Sequence, residues 1–185
     1  NVFIANSTGI QADIAEFYQK KSSVIFPPID ISNFSLLAKI RRQKSIPKKP
    51  RCLIWGRIVP MKRLDIAIDA CQKLGWQLDI IGKGPDIDRL KKLASSHTNF
   101  LGFVDDATRE KYIKEADLFI FCSHEDFGIA PVEALAAGIP VVAYKAGGAL
   151  DYIKPEKNGW FFSEQTAEQL IKTLKELPGK KVSPV

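Results

Sequence analysis

The sequence predicts an α/β domain with a mainly parallel sheet and helices on both faces, and three observations carry that prediction. From Arg51 onward, short apolar runs alternate with stretches of helical character, the sequence mark of a parallel sheet with crossover helices. The 185 residues, 45% of them hydrophobic and set in regular runs, suffice for one sizeable packed core. Glycine and proline punctuate the runs where turns are required, as at Gly138-Ile139-Pro140.

In chain order, Val2 to Ala5 is a short strand candidate, and Ser7-Thr8 can cap a helix reaching Lys20, whose apolar face carries Ile10, Ile14, Phe17 and Tyr18. Val24-Ile25-Phe26 reads as a strand stopped by Pro27-Pro28, and Ile29 to Phe34 as a loop. Strands then follow at Cys52 to Trp55, Leu78 to Ile81, Thr98 to Leu101, Leu118 to Phe121, Pro140 to Tyr144 and Trp160 to Phe162. The helices between them are Arg63 to Leu74, Pro85 to Ser95, Asp106 to Glu115, Pro131 to Ala137 and Gly148 to Ile153, with Ala167 to Glu176 last. Ligands of such sheets collect outside the carboxyl ends of the strands, so site residues are sought there.

The stretch from Ser123 to Gly148 is the richest of these ends. Its helix is expected to begin at Pro131, where the missing N–H is not needed, and to stop at Gly138, which suits a left-handed position. No cap is visible. Phe127, Gly128, Ile129 and Ala130 offer no side-chain oxygen, so the first N–H groups need water or a ligand, and an anion there would also meet the helix dipole. Glu133 then falls in the first helical turn, and Glu125 lies on the loop eight residues earlier. Carboxylates beside a phosphate site make sense if each is aimed at hydroxyls flanking the phosphates, as a sugar nucleotide would present them. Spacing alone also allows a Glu favoured by the dipole and an ordinary loop acid.

Charge and cysteine usage narrow the classes further. The net charge of +6 comes from Lys39, Arg41, Arg42, Lys44, Lys48, Lys49 and Arg51, which leave 20 basic against 21 acidic residues elsewhere. This reads as a solvated loop or linker, with a basic patch for peripheral contact with anionic lipid or a lipid-linked phosphate as the sharper reading, and not as a nucleic-acid surface. Cys52, Cys71 and Cys122 lack metal-ligand spacing and are expected to be buried free thiols in a reducing compartment, so the cytoplasm is the expected location. No run of 18 apolar residues occurs, and the amino end does not read as a signal peptide.

Glu125 through Glu133, followed by Ala134-Leu135-Ala136-Ala137-Gly138-Ile139-Pro140-Val141-Val142-Ala143 and Gly147-Gly148, resembles the Glu-x7-Glu signature of the family-4 retaining glycosyltransferases of GT-B fold. The resemblance covers nearly the whole chain and implies a Rossmann-like fold, the carboxy-terminal, donor-binding half of such an enzyme. It divides the chain into 1–22 as a remnant or edge of the amino-terminal domain, 23–50 as linker and first strand, and 51–185 as the nucleotide-sugar donor-binding domain.

The other strand ends fit this order. In Gly56-Arg57-Ile58-Val59-Pro60-Met61-Lys62, Gly56 permits close backbone approach, and Arg57 and Lys62 match the family's phosphate-contacting pair. Stabilising charge on the departing nucleoside diphosphate is the main electrostatic task of such a catalyst. The resemblance takes Phe103 and Val104 past the nucleotide base, with backbone groups as the contacts, and adds Phe127, Gly128 and Ile129 to the donor site. Gly82 and Gly84 lack the third glycine of a dinucleotide fingerprint and are read as structural, with a minor lining role. Asp86-Ile87-Asp88 sits at a helix start, where acids are favoured without a metal. His97 and His124 have no sequence partners that suggest a metal or a relay, and neither is taken into the site.

What the resemblance implies is transfer of a hexose with retained configuration, from a nucleotide diphosphate to a glycan or lipid-linked acceptor, without a metal or other cofactor. Glu125, Arg57 and Lys62 are the expected catalytic residues: the cations hold the diphosphate and Glu125 the hexose hydroxyls near the reacting carbon, while Glu133 takes the ribose. The wording Glu-Asp-Phe-Gly-Ile-Ala-Pro-Val-Glu is most similar to mannosyltransferases using GDP-mannose. The acceptor site belongs to an amino-terminal domain that the chain is too short to contain, so the fragment alone is expected to be inactive. A stand-alone nucleotide-sugar binding module and a nucleotide-sugar epimerase are the rival readings.

Overall fold

A computed structural model describes residues 2–30, 34 and 45–181. Residues 31–33 of the loop read over 29–34, and the charges at Lys39, Arg41, Arg42 and Lys44, lie outside these residues.

The amino-terminal stretch forms β1 (Phe3–Ala5), α1 (Thr8–Tyr18) and β2 (Ser22–Val24), with the two strands paired in parallel. Ser7 caps α1 as expected, its side chain accepting from the Ile10 N–H at 3.2 Å. The helix stops two residues short of Lys20 because Gln19 turns left-handed, at φ 53°. β2 lies earlier than the apolar run Val24-Ile25-Phe26 suggests: Phe26 leaves the ladder and stacks on Phe127, with ring centroids 5.9 Å apart.

The remaining strands are β3 (Cys52–Trp55), β4 (Leu78–Ile81), β5 (Thr98–Gly102), β6 (Leu118–Phe121), β7 (Val141–Tyr144) and β8 (Gly159–Phe162). They make one six-stranded sheet in the order β5-β4-β3-β6-β7-β8, and every pairing is parallel. The chain builds outward from β3 to β5, then returns to the other side of β3 to lay down β6. Strand order therefore reverses between β3 and β6.

The crossovers are α2 (Leu64–Leu74), α3 (Ile87–Leu93), α4 (Asp106–Glu115), α5 (Ile129–Ala136) and α6 (Ala149–Tyr152), and α7 (Ala167–Lys175) follows β8. Alternate strand residues face opposite cores, as the two-residue period requires. Ile54, Ile80, Ile120 and Val142 pack with Ile68 of α2 and Leu170 of α7, whereas Leu53, Phe119, Val141 and Ala143 pack with Ile113 of α4 and Ala134 of α5. A helix was expected from Arg63, but a single 3₁₀ turn over Pro60–Lys62 and a left-handed Arg63, at φ 49°, precede α2. The three cysteines are free and buried as expected, and a hydrogen bond to Cys71 together with burial pushes the Cys52 thiol well above its ordinary value.

One member of the basic segment departs from its solvated reading. The strand β4 carries a lone acid, Asp79, whose side chain is 2% exposed. Arg51 Nε donates to its Oδ2 at 2.5 Å and Asn99 Nδ2 to its Oδ1 at 2.9 Å. Arg51 also pairs with Glu115 and lies 5.3 Å above the Tyr112 ring. Its charge is thus committed to the sheet. Replacing it strands a buried carboxylate, so Arg51→Met is expected to cost roughly 3 kcal/mol and to lower Tm by roughly 6–12 °C. Thermal unfolding checks this; a shift below about 2 °C would mean that water satisfies Asp79.

Candidate active site

At the reversal between β3 and β6 the connections leaving the two strands run apart, and a cleft of about 490 Å³ opens over their carboxyl ends. Trp55, Gly56, Arg57, Met61 and Lys62 line it from the β3 side. The segment Ser123 to Ala130 lines it from the β6 side, and Asn6 and Pro27 reach it from the amino-terminal unit. Among the described residues, Gly56, Arg57, Lys62, Glu125, Phe127, Gly128 and Ile129 are thus brought to one place, as expected.

The helix facing this cleft begins two residues earlier than its proline suggests. Gly128 adopts φ 87° and lets α5 start at Ile129, so Pro131 is the third helical residue. No side chain caps it, as the sequence indicated. Pro131 has no N–H, so the groups at Ile129 and Ala130 are the donors that the first turn offers to water or ligand. Glu133 is corrected accordingly: it lies in the second turn, and a first-turn dipole preference does not account for it. Instead the Trp55 indole Nε1 donates to Glu133 Oε2 at 2.8 Å, fixing one carboxylate oxygen. Glu133 does not line the cleft directly, but Trp55 does.

Glu125 carries the densest contacts. Ser123 Oγ donates to Glu125 Oε1 at 2.5 Å, and Lys62 Nζ pairs with the same oxygen. These two side chains are only partly exposed, Lys62 at 25% and Glu125 at 20%. Arg57, by contrast, is an exposed guanidinium on the opposite lip. Cys122, at the root of the loop, is buried, and burial drives its thiol far above the ordinary range. It is therefore a packing residue at neutral pH and not a nucleophile.

A glycine pair after β7 sets the height of this loop. The Gly148 N–H donates to the Glu125 carbonyl at 2.9 Å, and a Cβ on Gly148 would lie 2.4 Å from Phe127 Cα. A Cβ on Gly147 would lie 2.2 Å from the Glu125 carbonyl oxygen. Only backbone fits there. Tyr152 of α6 completes the support by donating its hydroxyl to the Phe127 carbonyl at 2.8 Å.

Other expectations fall elsewhere. Phe103 and Val104 follow β5 outside the lining of this cleft, and Phe103 is 79% exposed. Gly82 and Gly84 do not line it either; a Cβ on them would strike the Gly56 and Ile58 carbonyls at 1.8 and 1.9 Å, so their role is close packing of the β3 and β4 ends. Asp86 is held by the Arg89 fork, with both bonds at 2.7 Å, and this bonding keeps its carboxyl below the usual range. His97 packs near Gly75 and Ser95. His124 is corrected: it lines the cleft, and its adjacency to Glu125 was the available signal. Ser123, Trp55, Asn6, Pro27 and Met61 were not picked out, although Ser123, Trp55 and Met61 stand in or beside the motifs at the two strand ends.

Residues 38–179 match the model of the family described as glycosyl transferases group 1, and the chain belongs to that family. It is 35% identical over 144 residues to an uncharacterized glycosyltransferase of Methanocaldococcus jannaschii, covering 70% of this chain and 37% of the relative. It is 27% identical over 173 residues to the GDP-mannose-dependent alpha-(1-6)-phosphatidylinositol monomannoside mannosyltransferase of Mycobacterium tuberculosis, covering 82% of this chain and 45% of that protein. The crystal structure of Anabaena HepE in complex with UDP superposes with a TM-score of 0.77 at 26% identity, covering 94% of this chain and 52% of that one. The chain thus spans less than half the length of these two curated relatives. No described helix is long and apolar enough to cross a membrane.

Because backbone atoms block any side chain at Gly148, Gly148→Ala must displace the Glu125 to Phe127 segment. The expected cost is about 1–3 kcal/mol, read as a fall in Tm. An alanine variant within about 1 °C of wild type would show that the loop yields freely.

Proposed function

We propose that this chain is the donor-binding domain of a retaining glycosyltransferase, transferring mannose from GDP-mannose to a glycan or lipid-linked acceptor. The observation that carries the reading is a cleft at the strand reversal whose two sides face each other with Arg57 and Lys62 on one and the uncapped start of α5 on the other. That arrangement suits a diphosphate. The family membership and the likeness to a GDP-mannose-dependent enzyme support the donor class, and the sequence wording favours mannose.

In this reading Arg57 and Lys62 hold the diphosphate together with the free N–H groups of Ile129 and Ala130. The oxygen of Glu133 not bonded to Trp55 takes the ribose. Glu125 takes hexose hydroxyls near the anomeric carbon. The bond from that carbon to the terminal phosphate oxygen breaks, the acceptor hydroxyl oxygen bonds to the same face, and its proton leaves on the departing phosphate side. The two cations stabilise the charge gathering on that diphosphate, without a metal. The acceptor is held by an amino-terminal domain of the whole protein, which works in the cytoplasm with peripheral contact at the inner face of the membrane.

Thermal stabilisation by GDP, UDP and ADP tests the donor class, with GDP expected to raise Tm most. Arg57→Ala should weaken nucleoside diphosphate binding about 10- to 100-fold while leaving nucleoside binding within about twofold, because charge-assisted bonds to phosphate are lost. Equal losses for both ligands would assign Arg57 to folding. Glu133→Gln should weaken GDP and GDP-mannose alike, since the ribose is unchanged by the reaction.

A further inference from the structure

The contacts of Glu125 contain a conflict. Lys62 is proposed to hold the diphosphate, yet its charge is already paired with Glu125. A diphosphate that recruits Lys62 must break this pair. It also leaves a carboxylate beside its own negative charge, and the partial burial of both side chains makes that more costly than at an open surface. Ser123 Oγ bonds the same carboxylate oxygen from a buried position, so Glu125 stays anchored when Lys62 departs and Oε2 stays free to accept.

We propose that Glu125, anchored by Ser123, is the residue by which the site discriminates a sugar nucleotide from the nucleoside diphosphate left after transfer. The inference rests on the donor-binding reading above. When a sugar nucleotide enters, Lys62 passes to the diphosphate and hexose hydroxyls donate to Glu125, replacing the bond it gave up. When the bare diphosphate occupies the site, the same exchange leaves Glu125 without a donor on that side. The product is therefore held less tightly than an unopposed pair of cations would hold it. Once the hexose has gone, return of Lys62 to Glu125 favours release. Ser123 is a positioning residue in this exchange, since it touches Glu125 and not the diphosphate.

The consequence has an unusual sign: removing an acid thought to bind donor should tighten one ligand and loosen the other. Calorimetric titration of GDP and GDP-mannose, with UDP and UDP-glucose in parallel, into wild type, Glu125→Gln and Ser123→Ala tests it. Glu125→Gln should tighten the nucleoside diphosphate about three- to tenfold and weaken the sugar nucleotide by a similar factor. Ser123→Ala should leave the nucleoside diphosphate within about twofold and weaken the sugar nucleotide at least about threefold. A Glu125→Gln variant whose nucleoside diphosphate affinity is unchanged or lower overturns the proposal. Equal losses for both ligands in Ser123→Ala also overturn it, and that arm decides the matter if Glu125→Gln does not fold. Wild-type protein that binds none of the four overturns the donor-binding reading itself. Wild-type binding without the sign reversal overturns only the role of Glu125.

Discussion

The parallel pairing of β3 with β6 is the constraint on which the rest depends. Two strands laid down far apart in sequence lie side by side, and the chain leaves their carboxyl ends in opposite directions, toward α2 and toward α5. The gap between those departures cannot be closed by the backbone of either. Arg57 and Lys62 on the β3 side and Ser123 to Ile129 on the β6 side owe their positions to that gap. The outer strands serve it by packing: the ends of β4 and β7 pass so near the two loops that Gly82, Gly84, Gly147 and Gly148 have no room for a Cβ.

Charge in the cleft is arranged by compensation. The start of α5 offers donors without a cap, Lys62 meets Glu125, and Trp55 meets Glu133. Only Arg57 among these charged groups is left open at the surface of the lip. These pairs engage Oε1 of Glu125 and Oε2 of Glu133, leaving the second oxygen of each carboxylate outside them. The amino-terminal unit is tied to the loop after β6 by Phe26 on Phe127 and to α6 by the Thr8 N–H donating to Asp151 at 2.9 Å, and Asn6 and Pro27 stand at the rim.

Most of the fold was legible because its punctuation is local. Cys52 to Trp55, Leu78 to Ile81, Leu118 to Phe121 and Asp106 to Glu115 are where the apolar periods and turn residues put them. Two of the misjudged boundaries share a cause. Gly128 and Arg63 take positive φ, which allowed α5 to begin before its proline and delayed α2 past its arginine. The gathering of Gly56, Arg57, Lys62 and Glu125 at one cleft was also legible, since each follows a strand and such ends converge. What stayed hidden was long-range: Arg51 with Asp79, Trp55 with Glu133, and Lys62 with Glu125 are pairs separated by whole crossovers. No window of sequence contains both partners. His124 was set aside for want of a partner, and the structure supplies its setting from Gly147 on a different connection.

The central claim is that the cleft over β3 and β6 takes a diphosphate between the two cations and the start of α5. Crystals of this chain soaked with GDP, and separately with UDP, test it most directly through difference density. The account predicts phosphate oxygens within hydrogen-bonding reach of Arg57, Lys62 and the Ile129 and Ala130 N–H groups. Density for the nucleotide in the groove lined by Asp65, Gln72 and Glu168, or elsewhere, with the cleft empty in both soaks, would contradict it.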